Sequence, residues 1–158
     1  MFSIYEIVDL AVRIEENGEH FYRNLSKDVM NPALEPLFRW LADAEVEHRE
    51  WFMNLKEKLR PKRDRGQLEA IGGSILQEIL GARTFSLEDA DFSKVDNVKD
   101  LIHIALEFEK DTILFFEIIQ GLADDQETST GLGRIIGEEN NHIKMLQELQ
   151  DKNSSPRR

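Results

Sequence analysis

Residues 41–52, LADAEVEHREWF, and residues 135–146, IIGEENNHIKML, decide the fold. Each carries Glu-x-x-His, as Glu45/His48 and Glu139/His142, inside a run whose apolar residues recur at helical spacing. Residues three apart share a helix face. Each pair therefore sits on a stripe that would otherwise be hydrocarbon. A charge on a buried stripe costs on the order of several kcal/mol unless it is paired or bound to a metal.

Working outward, another stripe glutamate stands 30 residues before each motif, Glu15 before Glu45 and Glu109 before Glu139. An offset of 94 carries Glu15 to Glu109, Glu45 to Glu139 and His48 to His142. It also carries Ala11 to Ala105, Phe21 to Phe115, Tyr22 to Phe116 and Leu55 to Leu149. The chain is thus an internal repeat of two helical hairpins.

The periodicity predicts four helices. The first spans Ile4 to Lys27, with Val8, Ala11, Gly18, Tyr22 and Leu25 on its stripe. After the Asn31-Pro32 break, a second runs to Leu59, striped by Leu34, Phe38, Leu41, Phe52 and Leu55, and Arg60-Pro61 ends it. The third spans Val98 to Leu122, with Leu101, Ile102, Ala105, Phe116 and Ile119. ADDQETSTG reads as a polar turn, and the fourth helix covers Thr130 to Asp151, with Leu132, Ile135, Ile136, Leu146 and Leu149. The expected architecture is all-α, one antiparallel four-helix bundle over 1–152 made of hairpin 3–59, crossover 60–95 and hairpin 96–151. Residues 153–158 are expected to be a flexible tail.

In an antiparallel hairpin, residues at one level straddle the turn equally. The midpoint of Glu15 and Glu45 is residue 30, beside Asn31-Pro32, and that of Glu109 and Glu139 is residue 124, inside ADDQ. Both pairs are therefore level within their hairpins, about 22 Å from each turn. Four carboxylates carry four negative charges, which two divalent cations neutralise. Oxygen-rich ligation with one imidazole per ion suits Fe(II) or Mn(II). The candidate ligands are Glu15, Glu45, His48, Glu109, Glu139 and His142. His20 and His103 fall off the stripe and are expected at the surface.

The rest of the composition mainly excludes. With no Cys among 158 residues, disulfides, zinc–thiolate sites, iron–sulfur clusters and thiol catalysis are ruled out. A net charge of -11 disfavours nucleic acid and anionic membranes as partners. No apolar run approaches the roughly 20 residues of a membrane span. MFSIYEIVDL has neither a basic leader nor an apolar core, so no signal peptide is expected and the cytoplasm is the expected location.

AVRIEENGEHFY followed by LFRWLADAEVEHREWFMNL resembles the ferritin-like domain of the rubrerythrin family. ALEFEKDTILFFEII followed by IIGEENNHIKML is similar to the same two helices again. The resemblance implies a ferritin-like bundle with one long crossover between helices two and three. It also implies that the six residues above bind two iron ions, that O2 or hydrogen peroxide is the oxidant, and that the chain forms a homodimer. Rubrerythrins proper carry a Cys-rich rubredoxin module that delivers electrons. A Cys-free chain must take them from a separate donor or from the Fe(II) it oxidises. The family also places a second Glu, associated with peroxide chemistry, where this chain has Thr112.

Tyr22, two turns after Glu15, is either a core aromatic or a phenol serving a ligand carboxylate or redox chemistry. Gly18 and Thr112, each three residues after a ligand, leave room beside the site. Three readings of function stay open. The first is an oxidoreductase coupling Fe(II) oxidation to reduction of O2 or peroxide. The second is a ferroxidase, iron-storage or iron-carrier protein, and the third is a helical module whose charges are structural.

Overall fold

The computed structural model describes residues 4–28, 32–59 and 98–154, and no strand occurs among them. Helix α1 (Ile4–Asp28) leads through a 3-10 turn (Pro32–Leu34) into α2 (Glu35–Leu59). Helix α3 (Val98–Leu122) is followed by α4 (Gln126–Ser154). The helices form two compact units, α1 with α2 and α3 with α4. The crossover expected over 60–95 lies outside the described residues.

The boundaries follow local chemistry. Pro32 opens the 3-10 turn and Pro36 lies in the first turn of α2, positions where a helix needs no amide donor. The fourth helix departs from the sequence reading at both ends, starting at Gln126 rather than Thr130 and ending at Ser154 rather than Asp151. Its early start comes from Asp125, whose Oδ2 accepts from Thr128 N and Thr128 Oγ1, each at 2.8 Å. That cap satisfies an amide of the first turn. The first turn is polar and largely exposed, so it carries no apolar period to reveal it. At the other end, residues 153 and 154, expected as tail, continue the helix.

Each hairpin has the register that its spacing requires. In the first, the rings of Tyr22 and Phe38 stack with centroids 6.5 Å apart, and their midpoint is residue 30. Ion pairs across the same seam, Arg23–Asp43 and Lys56–Asp9, have midpoints two to three residues later. Long side chains lean toward the N-terminus of their own helix, so in antiparallel neighbours the tips meet at higher numbers than the backbones do. In the second hairpin Gln120 Nε2 donates to Ser129 O at 2.9 Å, straddling the 123–125 turn. Gly133 accommodates that amide, since a Cβ there would lie 3.3 Å from Gln120 Nε2.

The stripes are buried much as their period requires. Val8, Ala11, Tyr22 and Leu25 line α1, and Phe38, Leu41, Phe52 and Leu55 line α2. Ile102, Ala105, Phe116 and Ile119 line α3, and Leu132, Ile135 and Leu146 line α4. Leu101, Ile136 and Leu149, read as stripe, are only half-buried. In α1 a second line, Ile7, Leu10, Ile14 and Phe21, is buried as well. That helix is covered on more than one side, the mark of a buried helix rather than a surface one. No described helix is long and apolar enough to cross a membrane.

Replacing the cap by Asp125→Ala should destabilise the protein by about 1 kcal/mol, whereas Asp125→Asn should cost only a few tenths. Chemical denaturation of the two variants measures the difference.

Candidate metal centre

The four helices each bring charge onto a buried face. Glu15 on α1, Glu45 on α2, Glu109 on α3 and Glu139 on α4 are all 0% exposed. His48 and His142 are 3% and 1% exposed. Both carboxylate oxygens of Glu15 and of Glu45 lie out of reach of solvent.

Within the first unit, one ligand-capable atom each from Glu15, Glu45 and His48 lie within 4.8 Å of one another. Within the second, Glu109, Glu139 and His142 do the same. The two triads match closely. His48 Nδ1 lies 3.7 Å from Glu15 Oε1, and His142 Nδ1 lies 3.7 Å from Glu109 Oε1. His142 Nδ1 is also 3.2 Å from Glu139 Oε2. The 94-residue repeat in sequence is therefore a repeat in side-chain geometry.

The two 3.7 Å separations fit a metal better than a hydrogen-bonded ion pair. A separation of 3.7 Å is too long for a hydrogen bond. Two ligand atoms bound to one ion at about 2.1 Å lie about 3–4 Å apart. The donor set, two carboxylates and one imidazole in each unit, is the oxygen-rich mixture that suits iron or manganese. The residues present fit an iron site.

A cation would also relieve the unfavourable surroundings of an ionised Glu109. Burial, then the charge and hydrogen bond of Glu139, push Glu109 up to about 8, with the hydrogen bond and charge of His142 acting the other way. Left to protein groups alone, Glu109 keeps its proton at neutral pH. A divalent cation reverses that preference, because an adjacent positive charge favours the ionised carboxylate.

Other candidates fall into place around the triads. Thr112 is fully buried, but its hydroxyl donates to Phe108 O at 2.8 Å, back onto its own helix. Gly18 is buried. Tyr22 is fully buried, with its ring stacked on Phe38 and edge-on to Phe21 at 5.3 Å. His20 and His103 are exposed, as their position off the stripe requires.

The stripe reading missed a cluster beside the first triad. Glu19 Oε1 accepts from Arg49 Nη1 at 2.6 Å and Glu19 Oε2 from Arg23 Nε at 2.8 Å. Arg23 Nη2 donates to Asp43 Oδ1 at 3.0 Å. Burial works to raise Glu19, but the hydrogen bonds from Arg23 and Arg49 outweigh it and hold the carboxyl below its ordinary value. Charged residues beside a stripe look like a solvated face in sequence. The available clue was that Glu19 and Arg49 lie one turn after Glu15 and one residue after His48.

Comparison with known proteins bears on the same helices. A model of the rubrerythrin family matches residues 6–150. A solved structure from Thermotoga maritima, provisionally described as a ferritin-like diiron-carboxylate protein, shares 25% identity with this chain. Its TM-score is 0.72, over 97% of both chains. A hypothetical protein from Pyrococcus furiosus is 19% identical, with a TM-score of 0.71 over 95% of this chain and 89% of its own. No curated protein matches. The likeness across nearly the whole length shows the all-α four-helix fold expected from the periodicity and the ferritin-like form that the resemblance implies.

The raised Glu109 sets a pH dependence for the metal-free protein. Its unfolded carboxyl ionises near 4.5 and its folded one near 8, so its contribution to stability is complete below 4.5 and lost as pH rises to 8. Over that window the wild type should lose up to about 1 kcal/mol per pH unit relative to Glu109→Gln. Urea denaturation of both proteins at pH 5.5 and 8.0 reads the difference.

Proposed function

This chain belongs to the rubrerythrin family, and we propose that its two triads hold a pair of iron ions at which O2 or hydrogen peroxide is reduced as Fe(II) is oxidised. The observation that carries the reading is the duplicated, fully buried set of two carboxylates and one imidazole. Bound ferrous iron supplies one electron per ion, enough to take peroxide to two waters with two protons, or O2 to peroxide.

The remaining roles belong to the chain's own residues. Glu15 and His48 on one side, and Glu109 and His142 on the other, are held 3.7 Å apart in matching poses. Each half can therefore offer an ion one imidazole and one carboxylate. Glu45 and Glu139, the carboxylates that share a helix face with the histidines, complete each half. Burial excludes bulk water, so charge at the site is compensated by these groups rather than by solvent. Glu109 holds a proton until a cation displaces it, so loading iron releases a proton from that carboxyl.

Thr112 and Gly18 bring no charge to the site. The Thr112 hydroxyl is committed to Phe108 O, so it donates no proton to an oxidant. In this reading buried Tyr22, two turns after Glu15, is a candidate donor to a ligand carboxylate. The chain contains no cysteine, so electrons beyond those of the bound iron come from a separate donor. A homodimer is part of the same reading.

Anaerobic loading followed by elemental analysis should find about two irons per chain. Stopped-flow addition of peroxide or O2 should then consume the ferrous signal, and the double variant Glu45→Ala/His48→Ala should lose at least the ion of the first triad. Iron content in large excess of two per chain, in a hollow assembly, would favour storage instead. Background iron in the wild type would sink the metal reading. Loading should also stabilise the fold, by about 4 kcal/mol for each bound ion at a metal concentration a thousandfold above its Kd.

A further inference from the structure

The two hairpins repeat each other's ligands but not the groups beside them. In the first unit, four charged residues form a continuous chain across the α1–α2 seam. Arg49 on α2 bonds Glu19 on α1, Glu19 bonds Arg23 on α1, and Arg23 bonds Asp43 back on α2. The seam is crossed twice, at Asp43 and at Arg49, and those two positions bracket Glu45 and His48 on α2. Glu19 lies one turn beyond Glu15 on α1. Both of its oxygens are committed, and its side chain is only 14% exposed.

Carrying these positions forward by the repeat offset gives Ile113, Glu117, Gly137 and Ile143. An isoleucine cannot replace Glu19 or Arg49, and a glycine offers no acceptor in place of Asp43. Among the described residues, a Cβ at Gly137 would meet nothing within 4 Å. Hydrogen bonds to charged groups are directional and set an axial register, whereas apolar contact is non-directional and tolerates sliding.

We propose that Glu19 and Arg49, with Arg23 and Asp43, are positioning residues that lock α1 against α2 at the Glu15–Glu45–His48 triad, so that this half is preformed and takes the first metal ion. The Glu109–Glu139–His142 half takes its ion second and more weakly. The inference rests on the metal reading above. It concerns the unequal behaviour of two halves that the ligand residues alone make equivalent.

Co(II), added to the metal-free protein and followed by its visible absorption, serves as the probe. The wild type should fill in two steps, the first removed by His48→Ala and the second by His142→Ala. Glu19→Gln should weaken the first step about tenfold, the scale of one charge-assisted hydrogen bond, and leave the second within about twofold. Arg49→Lys, which keeps the charge but not the fork, should weaken the first step less than Arg49→Met does. Asp9→Asn is the control, since it removes the Lys56–Asp9 pair that joins the same helices away from the triad. That variant should lower Tm without moving either cobalt step. If Glu19→Gln lowers Tm but leaves both steps unchanged, or weakens both equally, the positioning role is overturned and the metal reading stands. A wild type that binds no cobalt would overturn the metal reading itself.

Discussion

Each of the four described helices is built around a carboxylate that water cannot reach. A buried carboxylate has two stable options, to keep its proton or to face a cation. Glu109 shows the first option, since burial and the neighbouring Glu139 together hold its proton well above the ordinary range. Glu15, Glu45 and Glu139 are equally buried. Such a core is a poor way to stabilise a helical hairpin, because apolar residues of similar volume would serve stability better. It is a good way to hold metal, and the histidine three residues after Glu45 and after Glu139 supplies the softer donor that iron accepts.

Duplication explains how so demanding a site is built from so simple a fold. Each hairpin contributes two carboxylates and one imidazole, and the His–Glu separation across the seam is the same in both, 3.7 Å. Long helices joined by short turns carry the ligands about 15 residues from the turn, near the middle of each helix where fraying is least. The repeat is not perfect, and its departures are chemical. Tyr22 became Phe116, Gly18 became Thr112, and the ionic seam around Glu19 became the isoleucines Ile113 and Ile143. Equal ligands with unequal support are what allow one half of a symmetric motif to differ from the other.

The amino-acid sequence by itself determined the four long helices of the described residues, their hairpin pairing and the six charged residues on buried faces. All three follow from periodicity and from one arithmetic offset, which are linear properties of the chain. It also placed the level of each pair, because an antiparallel hairpin leaves little freedom once its turn is located. Where local chemistry was polar and exposed, as at Asp125 to Ser129, no apolar period marked the helix, and its start was read four residues late.

Tertiary structure alone decided how close the groups come and what stands beside them. The 3.7 Å spacing, the proton held on Glu109, the Thr112 hydroxyl turned back onto Phe108 and the second buried face of α1 all depend on packing. The Glu19–Arg49 bond is the clearest case. Its partners are 30 residues apart in sequence and look like any solvated charges, yet helix register and the lean of long side chains bring them to 2.6 Å. Stripes record which residues are buried. Only the folded hairpin sets which of them meet, because contact depends on register and side-chain direction that no single helix contains.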